Sequence, residues 1–343
     1  MLEFEGKNVL INECNKKLNI EISDINQVSW GGNNRLYYIR SSDNKEFFAK
    51  FYYNDKRKRL YNEFTSYDFL RRKGFTDVPI PYLKNEELNF GVYSYEKGRV
   101  KNNEELTTKD IDIIVDFFIK LESIDQKQVD VVFDYIPVAH ITPDQYLTNV
   151  RNKLNKFKVY IELQEASKKA VEFFGKNQVE KTITSFADIL TSKLQIYSKD
   201  AMEQSKYISL GVTDFGADNL IIKEDGSHCF IDFEDFGWNN PLATVADFVN
   251  HIKRKNMPKH LKEYFILQYK NRSLLSQNFK SMLDLILTLD LLEWLSTFLF
   301  WITPEKVNVR KFANPNFDEE AYIQEKIDAF FIYKTSLEDY LRT

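Results

Sequence analysis

The hydrophobic period of this chain changes near residue 100, and that change restricts the fold more than any other feature. Before it, NQVSW, RLYYIRS and KEFFAKFYY are short β-branched or aromatic runs, parted by the turn sequences GGNN and SSDN. VPIPYL reads as an extended, proline-rich connection, and LNFGVYSYEKG as a further strand that breaks at Gly98. One helix interrupts them. In DKRKRLYNEFTSYDFLRRKG, Leu60, Phe64, Tyr67 and Leu70 recur at helical spacing, Asp55 offers an N-cap and Gly74 a stop. After residue 100 the period is helical in TTKDIDIIVDFFIKLESI, in PDQYLTNVRNKLNKFKVYIELQEASKKAVEFF and in NQVEKTITSFADILTSKLQIYS. A single hairpin is embedded there: NLII and SHCFIDF flank the turn at Asp225-Gly226, and helices resume from about 242 to the end. The pattern predicts an α+β, bilobal chain with a small β-rich N-lobe (1–96) and a large helical C-lobe (97–343).

Composition agrees with a large packed protein. The 343 residues are 43% hydrophobic, with 28 Phe and 19 Tyr, enough for an extensive core. A net charge of −4 gives no argument for nucleic acid or a membrane surface as partner. Cys14 and Cys229 lack CxxC spacing and fit a reducing compartment. The first residues lack the basic and apolar regions of a signal peptide. The most apolar stretch, LDLILTLDLLEWLSTFLFWIT (283–303), is interrupted by Asp284, Asp290 and Glu293, so it reads as a buried helix. The expectation is a cytoplasmic protein. Its four histidines, His140, His228, His251 and His260, show no metal spacing.

The hairpin concentrates carboxylates where a strand should be buried. Asp214 precedes it, Asn219 opens the first strand, and Asp232 closes the second. Since a hairpin brings its two ends together, Asn219 and Asp232 become neighbours, with Asp214 on the loop beside them. Singly, each is an ordinary turn residue. Together they offer an amide oxygen and a carboxylate for Mg²⁺, which prefers hard oxygen ligands, and a further carboxylate able to take a hydroxyl proton.

The words around these residues, GVTDFGADNLII…CFIDFEDFGWNNP, resemble the aminoglycoside phosphotransferase and choline kinase family, which has the protein-kinase-like fold. They are most similar to a bacterial branch reading SDFGxHN…FxDFEYFGWDDP. The likeness extends upstream through WGGNNRLYYI, FFAKFY, RLYNEFTSYDFL and VPIP, over roughly residues 25 to 250. The resemblance implies ATP and Mg²⁺ as cofactors and a small-molecule acceptor. It implies that Asp214 is the catalytic carboxylate and that Asn219 and Asp232 are the metal ligands. Lys50 would contact the phosphates, and Glu63 on the following helix would pair with it. Gly31 and Gly32, in a turn ahead of Lys50, would let backbone N–H groups approach phosphate. Val212 stands where the family commonly has His, and Thr213 where the branch has Ser.

The acceptor is less legible. Glu234, two residues after Asp232 and so on the same face of a strand, is a candidate for a second Mg²⁺ or for the substrate. Trp238, Trp294 and Trp301 could line a pocket, but Trp294, Phe298 and Trp301 at helical spacing read first as core. Asp290 and Glu293 interrupt an apolar helix and need partners there, or serve the substrate. Asp247 reads as structural. The basic runs KRKR (56–59) and KRKNMPKHLK (253–262) read as solvated surface. The expected activity is transfer of the γ-phosphoryl group of ATP to a hydroxyl of an amino alcohol, amino sugar or sugar. The rival readings are a non-catalytic ligand-binding scaffold and a protein-modifying enzyme. The direct passage from DFEDFGWNNP into a helix leaves little room for the activation segment that the last would use.

Overall fold

The computed structural model describes residues 2–28, 34–54, 57–136, 139–197, 207–313 and 317–342. It has a β-sheet N-terminal region and a largely helical C-terminal part, the α+β class expected. Two compact units divide the chain: Met1–Val138 with Leu210–Trp238 and Lys253–Arg272, and Ala139–Ser209 with Asn239–Ile252 and Ser273–Thr343.

The first unit is built on a five-stranded antiparallel sheet of order β1-β2-β3-β5-β4. Its strands are β1 (Ile22–Val28), β2 (Arg35–Ser41), β3 (Glu46–Phe51), β4 (Pro81–Asn85) and β5 (Phe90–Ser94). One face is apolar: Tyr37, Ile39, Phe47, Ala49, Leu83, Phe90 and Val92 are buried in one cluster with Leu10 and Cys14. The last two belong to α1 (Leu2–Leu18), a helix the periodicity did not announce. Among its described side chains, Leu10 and Cys14 are buried against the sheet and Leu18 is half-buried, spaced one per turn. The connection expected at VPIPYL holds for residues 78–80, but its last three residues begin β4. Pro81 is tolerated because it starts an edge strand, where no ladder bond is lost.

Strand alternation sets Lys50 apart from this core. Phe47 and Ala49 face the α1 side, while Lys50 is registered opposite Leu36 and Gly91. The helix α2 (Arg59–Arg72) follows. It begins three residues later than DKRKR suggested, with Lys58 at its N-cap, and the expected cap Asp55 lies outside the described residues. Arg59, Asn62, Glu63, Ser66 and Tyr67 form a buried polar stripe along it.

A three-stranded sheet, β6-β8-β9, holds the hairpin: β6 (Gly98–Val100), β8 (Leu220–Lys223) and β9 (His228–Phe230). Gly226 adopts φ +80° at the turn, a left-handed conformation that suits glycine. Between β6 and β8 in sequence come α3 (Thr108–Glu122), capped by Thr107, and β7 (Ser209–Val212). β7 pairs with β10 (Phe236–Asn239). The helix Lys259–Arg272 packs on α3.

In the second unit, the helix Leu283–Trp301 lies against the helices Pro143–Glu162, Val179–Leu194, Pro241–Asn250 and Glu319–Arg342. It is buried on nearly every side, which is why its sequence is apolar all round. Among the described residues no helix is long and apolar enough to cross a membrane. Trp294, Phe298 and Trp301 pack ring to ring at 5.6–5.9 Å, as core.

Candidate active site

Lys50 is the hub of the first unit's polar residues. Its Nζ lies 2.7 Å from Glu63, 2.5 Å from Asp232 and 3.5 Å from Glu234, and it is 6% exposed. Each partner arrives by a different route. Glu63 comes from the buried stripe of α2, where Tyr67, one turn on, donates to its other oxygen at 2.9 Å. Tyr52 donates to Glu63 at 2.8 Å and shares a 2.7 Å hydrogen bond with Tyr93. Gly91 makes room for that arrangement, because a Cβ there would stand 2.6 Å from Tyr93 Cζ.

Asp232 arrives from the hairpin. Ile231 N–H donates to the Asn219 carbonyl at 2.9 Å, so the ends of the hairpin meet as expected. The second strand is shorter than SHCFIDF suggested: it stops at Phe230, and Asp232 adopts φ 68°. Its N–H donates to Tyr67 Oη at 2.9 Å. Asp214, on the loop after β7, adopts φ 56°. Asp is among the non-glycine residues that enter this region more readily than most, so both carboxylates stand on backbone that their side chains tolerate.

The strand-alternation argument for Glu234 fails, since Asp232 and Glu234 lie beyond β9 in a turn. Glu234 still reaches the site. Arg59 pairs with its carboxylate, Asn34 donates to it at 2.9 Å, and Asn62 donates to its carbonyl at 3.2 Å. The reading of KRKR as a solvated face is therefore wrong for Arg59, which is 6% exposed. Glu63, Asp232 and Glu234 bring carboxylate oxygens within 4.8 Å of one another, the spacing of a metal cluster. The Lys50 ammonium and the Arg59 guanidinium offset part of that negative charge.

Electrostatics follow from burial and pairing. Burial alone would push the Lys50 pKa down, but Asp232, Glu63 and Glu234 outweigh it and hold the ammonium well above its ordinary value. Burial pushes Glu63 up even though Lys50 opposes it. Asp232 is held low, because Lys50 overcomes the burial that would raise it. Asp214 is pushed up by burial, against the pull of Lys253 and then Arg254. Lys253 Nζ sits 2.8 Å and 2.9 Å from the two Asp214 oxygens. Arg254 is buried beside Gly216, where a Cβ would stand 2.8 Å from its Nη1.

The first unit thus gathers Lys50, Glu63, Asp232 and Glu234, and sets Asp214 and Asn219 side by side: the Asn219 amide donates to the Asp214 carbonyl at 3.2 Å. Gly31 and Gly32 lie outside the described residues. Asp290 and Glu293 belong to the second unit. Glu293 accepts from Lys153 at 2.6 Å and Asn149 at 3.3 Å, and meets His140 at 2.5 Å. His140 and Lys153 hold it low against burial. Asp290 accepts from Asn250 at 3.1 Å, and burial, Asp247 and Glu293 push it well above the carboxylate range. Sequence reasoning missed Lys253 and Arg59, although both stood in basic runs it had singled out. It also missed Tyr52, Tyr67 and Tyr93, which look like any buried aromatics in sequence.

A lysine held between a helix glutamate and a hairpin aspartate, with a loop carboxylate nearby, is the arrangement that the sequence resemblance leads one to expect. The comparisons agree. The model of the phosphotransferase enzyme family matches residues 24–272, and the chain belongs to that family. Its fold is similar to that of a spectinomycin phosphotransferase, APH(9)-Ia, solved with ADP and spectinomycin (TM-score 0.60, 14% identity, 95% of this chain and 98% of that). It is also similar to a choline kinase from Cryptosporidium parvum Iowa II (TM-score 0.61, 14% identity, 97% of this chain and 96% of that). The choline kinase LicA from Streptococcus pneumoniae is a third (TM-score 0.58, 14% identity, 97% of this chain and 99% of that). At these identities the likeness is one of fold. No curated protein matches the chain.

Proposed function

We propose that this chain transfers the γ-phosphoryl group of ATP to a hydroxyl of a small metabolite: an amino alcohol, an amino sugar or a sugar. The observation that carries the reading is the Lys50 ammonium held by Glu63 and Asp232 in a chain of the phosphotransferase family. The choline kinases and the spectinomycin phosphotransferase that share the fold support a small acceptor. Residues 1–96 would bind the nucleotide, and 97–343 would supply the catalytic loop, the hairpin and the acceptor site.

The donor set suits Mg²⁺. The Asn219 amide N–H points to the Asp214 carbonyl, which leaves its oxygen as a ligand, and the Asp232 side chain is 37% exposed beside Lys50. Asn219 and Asp232 would hold the ion, which supplies charge neutralisation at the phosphates when bound. Lys50, fixed by Glu63, would hold phosphate oxygens. Asp214 would orient the acceptor hydroxyl and take its proton. The hydroxyl oxygen bonds to the γ-phosphorus, the bond from that phosphorus to the bridging oxygen breaks, and ADP leaves with the electron pair. Catalysis is mostly positioning and electrostatics.

The test is ADP release with Mg²⁺-ATP and candidate acceptors, in the wild type and in Asp214→Asn. The reading expects kcat to fall roughly 10²- to 10⁴-fold, the span of general base catalysis, while Mg²⁺-ATP still binds. Equal turnover by the variant would show that Asp214 is not the base.

A further inference from the structure

Lys253 closes one side of the candidate base. Its Nζ donates to Asp214 Oδ2 at 2.9 Å, stands 2.8 Å from Oδ1, and lies 3.7 Å from Asp218 on the same loop. An ammonium nearly equidistant from both oxygens of a carboxylate stands between them. It therefore faces their inner lone pairs and leaves the outer ones. Oδ1 is buried while the side chain as a whole is 45% exposed, so Oδ2 is the oxygen turned outward. We infer that Lys253 is a positioning residue of the phosphoryl transfer, setting the Asp214 carboxylate so that the outer lone pair of Oδ2 faces the acceptor hydroxyl. The inference rests on the kinase reading and adds a residue to it.

The ammonium comes from an anchored backbone. Asn103, from the connection between β6 and α3, donates to the Lys253 carbonyl at 2.5 Å. The next residue, Arg254, is 1% exposed and lies beside Gly216 of the Asp214 loop. Its carbonyl accepts from Met257 N–H at 3.0 Å, at the approach to the helix Lys259–Arg272, which packs on α3. Lys253 thus ties the loop to an element 39 residues further along the chain. Within the loop, Asp214 stands at φ 56° and its carbonyl accepts from the Asn219 amide, which fixes the main chain. Lys253 adds the hold on the carboxylate itself. Burial pushes the Lys253 pKa down, but Asp214 outweighs it and keeps the ammonium charged, with Asp218 and Asp232 adding to the effect. A half-exposed pair of this kind contributes little to folding, so its loss belongs in the rate and not in stability. The transfer is the one already described: the acceptor proton passes to Asp214, no bond to Lys253 forms or breaks, and the ammonium keeps its three protons.

The experiment is a double-mutant cycle on Lys253 and Asp214 in the full chain, read by ADP release from Mg²⁺-ATP with water, ethanolamine or D-glucose as acceptor. Water reaches an open acceptor position, so the natural acceptor need not be known. Lys253→Met is expected to lower kcat about 10²-fold, the cost of roughly 1 Å of misplacement, with KM for ATP unchanged within about twofold. Lys253→Arg, which can also pair with both oxygens, is expected to recover most of that loss. In the Asp214→Asn background, Lys253→Met is expected to change kcat by less than about twofold, because the carboxylate it positions is gone. Wild-type kcat in Lys253→Met overturns the inference. So does a loss in the double variant equal to the product of the single losses, which would mean that Lys253 does not act through Asp214. A rise in KM for ATP matching the fall in kcat also overturns it, in favour of a nucleotide-binding role. Circular dichroism and calorimetric binding of Mg²⁺-ATP show that each variant is folded and loaded. A wild type that releases no ADP overturns the kinase reading, and the inference with it.

Discussion

Replacing Tyr67 with Phe removes one oxygen that two parts of the site share. Tyr67 Oη donates to Glu63 at 2.9 Å and accepts the Asp232 N–H at 2.9 Å, and the residue is 1% exposed. Water has little access to replace it. A hydrogen bond to a charged group contributes about 1.5–3 kcal/mol and a neutral one about 0.5–1.5, so Tyr67→Phe should cost roughly 2–4 kcal/mol. The loss also frees the backbone that holds Asp232 at φ 68°, so Mg²⁺-ATP binding should weaken together with stability. Tyr52→Phe is the control. Its hydroxyl touches Glu63 and Tyr93 and makes no bond to Asp232, so it should lower stability with less effect on nucleotide binding. Denaturant unfolding followed by circular dichroism, with Mg²⁺-ATP titration, reads both. If Tyr67→Phe unfolds within about 0.5 kcal/mol of wild type and binds Mg²⁺-ATP equally well, the link between the helix glutamate and the hairpin is refuted.

Gly91→Val should weaken Mg²⁺-ATP binding at least tenfold despite valine's strand preference, because a Cβ there displaces Tyr93 and with it Tyr52; unchanged binding by calorimetry would contradict this. Burial pushes the Asp235 carboxyl up to about 6, against Arg57. Its folded pKa then exceeds the unfolded value of about 3.9, so the folded state keeps the proton longer and stability declines as pH rises between about 4 and 6. Asp235→Asn should flatten that slope and stabilise the protein at neutral pH by up to about 3 kcal/mol, at about 1.4 kcal/mol per pKa unit; an unchanged pH profile of unfolding would count against it. Lys50→Met leaves three carboxylate groups around an apolar side chain, and should abolish Mg²⁺-ATP binding while shifting the unfolding midpoint downward. Binding at wild-type strength would remove Lys50 from the site.

The candidate site residues of the hairpin were legible because their spacing is local. Asn219 and Asp232 are joined by one hairpin, and the Asp225-Gly226 turn announces it in sequence. Lys50 and Glu63 were legible only through resemblance, since a strand lysine and a helix glutamate are unremarkable alone. The supporting residues were hidden for a different reason. Tyr52, Tyr67 and Tyr93 satisfy both the helix or strand pattern and a hydrogen-bond network, and the pattern shows only the first role. Arg59 and Lys253 sit in basic runs, and only tertiary structure shows which of several cations meets a carboxylate. α1 was missed because its described apolar contacts to the sheet, Leu10, Cys14 and Leu18, come only one per turn, a weak period in a sequence rich in polar residues.

The most direct test of the central claim is calorimetric titration of Mg²⁺-ATP into the wild type and into Asp232→Ala. The account predicts saturable binding to the wild type that is lost in the variant, with circular dichroism showing both folded. No binding to a folded wild type, or equal binding to both proteins, would contradict it.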